Sequence, residues 1–313
     1  MSAPPSTAAY PFDARPLVEP VDRAAARAFA QGLKVAGRLP GFSASGVVVA
    51  IVALAVTVAF GSVVVTMLGA VVGALTSPPE GGGALGVVFV VIPPLVIVGI
   101  ISAVTFALVR GRRSREERMY RIDGFARANA MSYLPQVDDP GLPGMIFSLG
   151  GSRQATDLVR GERPRFVEFA NYRYVTGSGK NRTTHAWGYV AVKLDVPLPH
   201  IVLDATGNNG LFGSNLPQIF DKDQRLGLEG DFDRFFSLYC PAGYERDALY
   251  LFTPDIMARF IDNAAALDVE IVDDWLFLYA KRDFSTLDPA TWAWLFSAVG
   301  ALLDKFAQWA RWR

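Results

Sequence analysis

The chain has 313 residues, with 30 Lys and Arg against 30 Asp and Glu, and a single cysteine, Cys240. One cysteine excludes an intramolecular disulfide and a thiolate metal cluster. Residues 128–313 carry 18 basic against 23 acidic residues, so the chain lacks the basic surface that nucleic-acid binding needs, and we predict no nucleic-acid partner.

Residues 1–45 are predicted to be a disordered tail followed by a short amphipathic helix. The first twenty are rich in Pro, Ala and Ser without periodicity, a composition typical of disorder. Asp22–Gly37 has the pattern of a helix, with Asp22 as its N-cap and Gly37 near its end.

Residues 46–109 contain two long apolar runs, 46–75 and 85–109, and Glu80 between them is the one charged residue from Leu39 to Val109. Each run is long enough to cross a bilayer core of about 30 Å, so the sequence predicts a two-helix transmembrane hairpin with the lipid bilayer as a partner. Small residues recur at four-residue spacing, which lets helices pack closely within one hairpin or between copies. They include Gly69, Gly73, Gly99 and Ala103.

Residues 110–130 are predicted to form a basic helix directly after the second apolar run. Its first arginines are Arg110, Arg112, Arg113 and Arg115. Because positive residues that flank a span stay on the cytoplasmic side, this pattern predicts a multi-pass protein of the cell membrane with both termini in the cytoplasm.

Residues 131–313 are predicted to be an α+β cytoplasmic domain with an antiparallel sheet. Alternating segments rich in aromatic and β-branched residues predict its strands. They are Arg165–Thr176, Thr184–Asp195, His200–Ala205 and Val269–Ala280, the last read as two strands around an Asp273–Asp274 turn. Gly177–Thr183 predicts a hairpin loop. Helices are predicted at Thr253–Ala266 and from Asp288–Pro289 onward, each opened by a capping residue and a proline.

The segments that come nearest to metal- or phosphate-binding motifs lack residues that those motifs require. The acidic run that starts at Asp221 has Arg225 and Leu226 where a calcium loop needs an oxygen ligand and a glycine. Gly177–Lys180 lacks the upstream glycine and the following Ser or Thr of a phosphate loop. The two histidines, His185 and His200, have no nucleophile signature beside them. The sequence therefore predicts no catalytic residue, no metal ligand and no cofactor.

Two segments, Leu228–Tyr239 (LEGDFDRFFSLY) and Ala248–Met257 (ALYLFTPDIM), carry a recognisable pattern. The pattern resembles one in an uncharacterised group of bacterial membrane-anchored proteins with a C-terminal domain of unknown function. The resemblance covers residues 165–280, implies a two-span anchor with a cytoplasmic domain, and brings no known activity. Its positions of possible interest are Glu229, Asp231, Phe232, Phe236 and Tyr239.

These observations favour a non-enzymatic, membrane-anchored interaction or scaffold module in the cytoplasm. Two alternatives stay open. The chain could be an accessory subunit of a membrane transporter or envelope complex that makes contact through its small-residue faces. It could also be a membrane-tethered hydrolase that uses acids such as Asp231 or Asp233.

Overall fold

The computed structural model describes residues 12–39, 57, 60–61, 63–64, 67–69, 71–72, 110–206, 225–227, 232–251, 261 and 267–310. The chain divides into two compact units, one made of Met1–Ala26 with Arg118–Arg313 and the other of Arg27–Glu117. Nearly all of the predicted Thr253–Ala266 helix lies outside the described residues.

The unit of Arg27–Glu117 corrects the sequence prediction. Its described residues between 57 and 72 are helical, as are residues 110–117, while 73–109 lie outside the described part. Among the described residues, no helix combines the length and the apolar character that crossing a bilayer requires. A span takes about 20 consecutive apolar residues. The longest helix that the structure describes is Pro289–Ala310 of the other unit, and its sequence includes the charged residues Asp304 and Lys305. The predicted fold class with a transmembrane hairpin and the predicted multi-pass membrane location with cytoplasmic termini are wrong on this finding.

An antiparallel sheet forms the centre of the other unit. Its strands run in the order β1-β2-β3-β4-β6-β5, and β7 pairs with β4. They are β1 (Ser132–Asp138), β2 (Gly151–Gly161), β3 (Val167–Thr176), β4 (Thr183–Ala205), β5 (Arg225–Leu226), β6 (Phe236–Tyr239) and β7 (Asp268–Ala280). The helices of the chain are α1 (Arg15–Val18), α2 (Arg23–Val35, of which only residues 23–26 belong to this unit), α3 (118–128 in this unit), α4 (Phe232–Phe235), α5 (Glu245–Leu251) and α6 (Pro289–Ala310).

The long strand β4 holds the sheet together because it pairs with three other strands. On one side it pairs first with β3 and then with β6, and on the other side it pairs with β7 from Gly188 to Leu203. The sequence predicted a break in β4 at Pro197 and Pro199, but the structure has one strand with register shifts between Lys193 and Ile201. A bulge leaves backbone groups unpaired, which is where a strand tolerates proline.

Strand β7 differs from its prediction in the same way. Instead of two strands around a turn, one strand runs through Asp273, whose φ of 51° is left-handed. The hairpin between β3 and β4 is confirmed, with a 3₁₀ turn at Gly179–Asn181 inside the predicted loop.

Side chains are buried on both faces of the sheet. On one, which we call the aromatic face, Phe147 from the loop before β2 packs on the rings of Tyr172, Tyr189 and Phe277 at centroid distances of 4.8, 4.9 and 5.7 Å. On the other, which we call the helical face, Trp292 of α6 packs against Phe125 of α3 and Phe169 of β3.

The polypeptide before α2 also belongs to this core. Residues 12–18, which lie in the tail that the sequence predicts to be disordered, contain α1 and place the fully buried Leu17 against the body of the unit. We call residues 12–18 the strap.

Candidate functional site

The residues that the sequence singled out have mostly structural surroundings. Phe232 and Phe236 are buried and stacked at 4.9 Å, and Tyr239 lies half-buried at the end of β6, paired with Val202 of β4. Glu229 and Asp231 lie outside the described residues. The two phenylalanines therefore contribute packing around α4 and β6.

The arginines from the predicted basic helix are exposed on helical residues. Arg112 forms an ion pair with Glu116 at 3.1 Å, one turn later, and Arg110, Arg113 and Arg115 are exposed as well. Gly69 is helical and a side chain there would meet nothing within 4 Å, whereas Gly73, Gly99 and Ala103 lie outside the described residues.

The lone cysteine and His185 take structural positions. Cys240 is buried, and burial, with the charge of Glu245, raises the pKa of its thiol. The ring of His185 stacks on Tyr174 at 4.7 Å and contacts the Thr176 hydroxyl at 2.8 Å. Among the described residues, no three His, Cys, Asp or Glu side chains come together as metal ligands.

Two buried carboxylates line the aromatic face, and each holds a tyrosine hydroxyl. Tyr279 donates to Glu270 at 2.8 Å, and Glu270 also accepts the Met145 backbone N–H at 2.8 Å. The half-exposed His200 contacts the other Glu270 oxygen through Nε2 at 2.9 Å. Burial first, and the nearby Glu270 next, raise the pKa of Tyr279 well above its ordinary value. This chain of contacts joins the loop before β2 to strands β4 and β7.

The second buried carboxylate, Glu168 of β3, also binds a tyrosine hydroxyl. It accepts the Tyr189 hydroxyl at 2.5 Å and pairs with Arg160 at 2.6 Å. Burial raises the pKa of Tyr189, and Glu168 adds to the shift. Because its buried charge has a hydrogen-bonded partner, Glu168 avoids the cost of an uncompensated ion in the core.

One cluster on this face reaches solvent, where the bulges of β4 and β7 meet the connection between β2 and β3. We call it the bulge patch and define it by five residues. They are Arg160, Arg165, Phe166, Lys193 and Trp275. The strand register sets Lys193 directly opposite Trp275, and the backbone N–H of Lys193 donates to the carbonyl of Phe166 at 3.0 Å.

Each of the two aromatic rings of the bulge patch has a cation over it. Lys193 Nζ lies 4.4 Å from the ring centre of Trp275, and Phe166 meets that ring edge-on at 5.4 Å. The Arg160 guanidinium lies 5.3 Å from the Phe166 ring. Such cation–π contacts are each worth about 0.5–1 kcal/mol at exposed sites.

Two carboxylates at the edge of the patch form ion pairs with its cations. Lys193 pairs with Asp274 at 2.7 Å, and Arg165 pairs with Asp195 at 2.5 Å while donating to the Lys193 carbonyl at 3.0 Å. The side chains of Lys193 and Asp274 keep 41% and 38% of their surface exposed. The patch therefore presents aromatic and charged groups to solvent side by side.

The bulge patch is continuous with the buried aromatic face. Trp275, Phe277 and Tyr279 alternate along β7, and their rings stack in sequence at 5.9 and 5.7 Å. This column of three rings ends at Tyr279, whose hydroxyl donates to Glu270.

Sequence reasoning missed the bulge patch because its members come from three segments far apart in the chain. The one signal was a break in strand alternation, which the sequence analysis interprets as a gap between two strands at Pro197 and Pro199 and as a turn at Asp273 and Asp274. Bulges recur next to functional sites, so these two breaks in strand alternation were the sequence feature that could have indicated the patch.

Comparison with known proteins adds one similar structure. No protein-family model matches the chain, and no curated protein matches it. The chain is similar to the crystal structure of the mycobacterial trehalose monomycolate transport factor A, TtfA, at 15% sequence identity. The match covers 60% of this chain and 93% of that chain, with a TM-score of 0.42. A likeness at this level carries no argument about function.

Proposed function

We propose that this chain is a non-enzymatic interaction domain that binds a protein partner through the bulge patch. The supporting observation is the half-buried Trp275, held between Lys193 and Phe166. Trp and Arg are the residues that most often dominate the binding energy of protein interfaces. An accessory role within a larger assembly is one specific form of this proposal.

The geometry of the patch suits binding because its cations already have contacts within the chain. Fixing a mobile side chain at an interface costs about 0.5–1.5 kcal/mol, and here Lys193 and Arg165 are already held by ion pairs and ring contacts. The rim acids Asp195 and Asp274 would select among partners by charge.

A second candidate function is hydrolysis, and His200 is the observation that favours it. A half-exposed imidazole held by a buried carboxylate is the arrangement of an oriented general base. In this reading Glu270 would position the ring. The two functions are separable, because His200 is not a member of the bulge patch.

The test is photocrosslinking in cells that produce the full chain. A benzoylphenylalanine at Phe166 should give a discrete protein adduct, whereas the same probe at the exposed Tyr244 should not. Trp275→Ala should weaken the purified interaction about thirtyfold, and Phe235→Ala, at another exposed aromatic, should leave it unchanged.

Other outcomes would overturn the proposal. Equal adducts from both probe positions, or an adduct insensitive to Trp275→Ala, would remove the bulge patch as the binding surface. An ester- or amide-hydrolysing activity abolished by His200→Ala and untouched by Trp275→Ala would replace binding with catalysis.

A further inference from the structure

The first five residues of β4, Thr183–Trp187, have a strand partner on one side only. On that side β3 pairs with them residue by residue, from Thr176 opposite Thr183 to Tyr172 opposite Trp187. On the other side β7 pairs with β4 only from Gly188 onward. Among the strands that the structure describes, none continues along this side. We call Thr183–Trp187 the open edge.

The open edge exists because β7 leaves β4 at Gly188. A Cβ atom at Gly188 would overlap the Arg282 carbonyl oxygen and lie 2.5 Å from the Phe284 ring, so the chain after β7 crosses directly over this glycine. The buried Asn171 side chain holds the crossing, since its Oδ1 accepts the backbone N–H of Phe284 at 2.8 Å and of Ser285 at 3.0 Å. The open edge therefore follows from how the chain packs after β7.

Two residues of the open edge turn their backbone groups away from β3. The N–H of Lys193 donates to the carbonyl of Phe166, just before β3, at 3.0 Å, and the register of β3 with β4 runs from there to Thr183 without a shift. Backbone groups alternate between the two sides of a strand, so Thr184 and Ala186 direct N–H and C=O to the side without a partner. Both residues are exposed. Their four backbone groups form a template for one more strand.

The open edge lacks the features that guard sheet edges against further pairing. Guarded edges carry proline, charged residues or a bulge. The sequence of the open edge, TTHAW, contains no proline, Lys, Arg, Asp or Glu, and its register with β3 has no bulge. The open edge therefore suits the addition of a strand by a partner, which is a common mode of peptide recognition.

Exposed basic side chains lie on the segments at both ends of the open edge. They are Lys180, Arg182, Lys281 and Arg282. Residues 177–187 contain no Asp or Glu, and Asp283 is the acid that directly follows the second pair of cations. Lys281 Nζ lies 5.3 Å from the ring centre of Trp187, the last residue of the open edge. These charges repel a second copy of the same edge and attract an acidic segment.

We propose that the open edge binds an extended acidic segment of a protein partner, which adds a strand to β4. The alternating N–H and C=O groups of Thr184 and Ala186 match another peptide backbone, whereas a lipid headgroup or a nucleic acid does not present that alternation. The inference goes beyond the proposed function and does not rest on it. Six residues of β4, about 20 Å of strand, separate Trp187 from Lys193 of the bulge patch.

Hydrogen exchange of the full chain tests the open edge before any partner is added. The amides of Thr184 and Ala186 should exchange about tenfold or more faster than those of His185 and Trp187, whose N–H groups face β3. If all four amides exchange at the same slow rate, another part of the chain already pairs with the edge, and the proposal is wrong.

Binding is measured by fluorescence anisotropy of the full chain with a labelled octapeptide, EVEVEVEV. We expect saturable binding, together with slower exchange at Thr184 and Ala186. A copy of the octapeptide with its two central amides methylated keeps the charge but loses one main-chain donor on each edge. The methylated copy should bind about tenfold or more weakly, and the basic octapeptide KVKVKVKV should not bind.

Variants of the chain give the same test from the other side. Proline is tolerated on a strand where the N–H faces solvent, so Ala186→Pro should fold, and its affinity for EVEVEVEV should fall about tenfold or more. Ala186→Val keeps the N–H and is the matched control, with unchanged affinity. The combination of Arg182→Gln and Lys281→Gln should also weaken binding. The methylated octapeptide makes the result independent of how the proline variant folds.

Three results would refute the proposal. The first is no saturable binding of EVEVEVEV. The second is equal binding of the methylated and unmethylated octapeptides, or of the Ala186→Pro and Ala186→Val chains, which would leave charge alone as the cause. The third is tighter binding of phosphatidylglycerol vesicles or single-stranded DNA that Ala186→Pro does not change. Trp275→Ala should leave octapeptide binding intact, so this inference and the proposed function fail separately.

Discussion

Gly144 lies against the inner end of the aromatic column, where no side chain fits. A Cβ atom there would overlap the Tyr279 hydroxyl and come within 3.1 Å of two ring carbons of Phe277. The same hydroxyl donates to the buried Glu270, so Gly144→Ala displaces a hydrogen bond as well as a ring. We expect a loss of about 1–3 kcal/mol in the free energy of unfolding, measured by guanidinium denaturation.

The hydroxyl itself can be shown to cause that loss. In a Tyr279→Phe background the overlapping oxygen is gone, so Gly144→Ala should cost about 1 kcal/mol less than it does in the unmodified chain. Gly151→Ala is the matched control, since a side chain there contacts nothing within 4 Å. Equal costs of Gly144→Ala in both backgrounds would place the strain on Phe277 instead.

At the level of elements, α6 begins where the sequence predicted. Asp288 accepts the N–H of Ala290 and of Thr291 at 3.1 Å and the Thr291 hydroxyl at 2.8 Å, and Pro289 occupies the first position of the helix. The Thr291 hydroxyl first, and the backbone N–H groups with it, lower the pKa of Asp288 below its ordinary 3.8. The stabilisation is therefore present above pH 3.8 and disappears as pH falls through the lowered pKa.

Asp288→Ala should lower the Tm by a few degrees at pH 7, because an N-cap is lost. The difference from the unmodified chain should shrink as pH is lowered from 3.8 through the lowered pKa, because Asp288 takes up a proton in the unfolded chain before it does so in the folded chain. Asp283→Ala, at an exposed acid just before the helix, should have little effect at either pH. A Tm difference that persists unchanged into strong acid would show that Asp288 acts through something other than its charge.

The elements differ in how far the sequence could predict them. Strands β3, β4 and β7 were predictable because aromatic and β-branched residues alternate along them. The continuity of β4 and β7 was not, since Pro197 and Asp273 are local turn signals that the paired neighbours override by bulging. Local propensity yields to tertiary pairing in such cases.

The strap and the bulge patch were beyond sequence reasoning for a related cause. The strap depends on Asn129, 116 residues away, and Lys193 meets Trp275 only through the register of β4 and β7. Contacts of this separation leave no periodic pattern in a single sequence. The length of the two apolar runs predicted the transmembrane hairpin, whereas no helix among the described residues has the length and apolar character to cross a bilayer.

In the whole unit, the bulge patch and the strap lie on different faces of one sheet. The bulge patch continues the aromatic face through Trp275 and Phe277, whereas the strap packs on Phe125 and Phe296, which cover the helical face. Partner binding through the bulge patch and packing of the strap therefore use separate side chains. We expect Phe12→Ala to leave crosslinking at Phe166 intact.

The tyrosines of the aromatic face set the stability of the unit in alkali. Burial and the neighbouring carboxylates raise the pKa of Tyr189 and Tyr279 well above the ordinary 10.0. In the unfolded chain both ionise near pH 10, while in the folded chain they stay neutral. Their contribution to stability is thus complete below pH 10 and is lost as pH rises above it.

Above pH 10, each of these tyrosines should lower the free energy of unfolding by about 1.4 kcal/mol per pH unit. Urea denaturation between pH 8 and 11 measures that slope, and absorbance at 295 nm reports tyrosinate directly. Tyr279→Phe should reduce the slope by about one proton, because the variant has one group fewer to ionise on unfolding. Tyr244→Phe, at an exposed position, is the matched control and should leave the slope unchanged. If Tyr189 and Tyr279 ionise near pH 10 in the folded chain, the carboxylate–tyrosine pairs do not hold the aromatic face together as described.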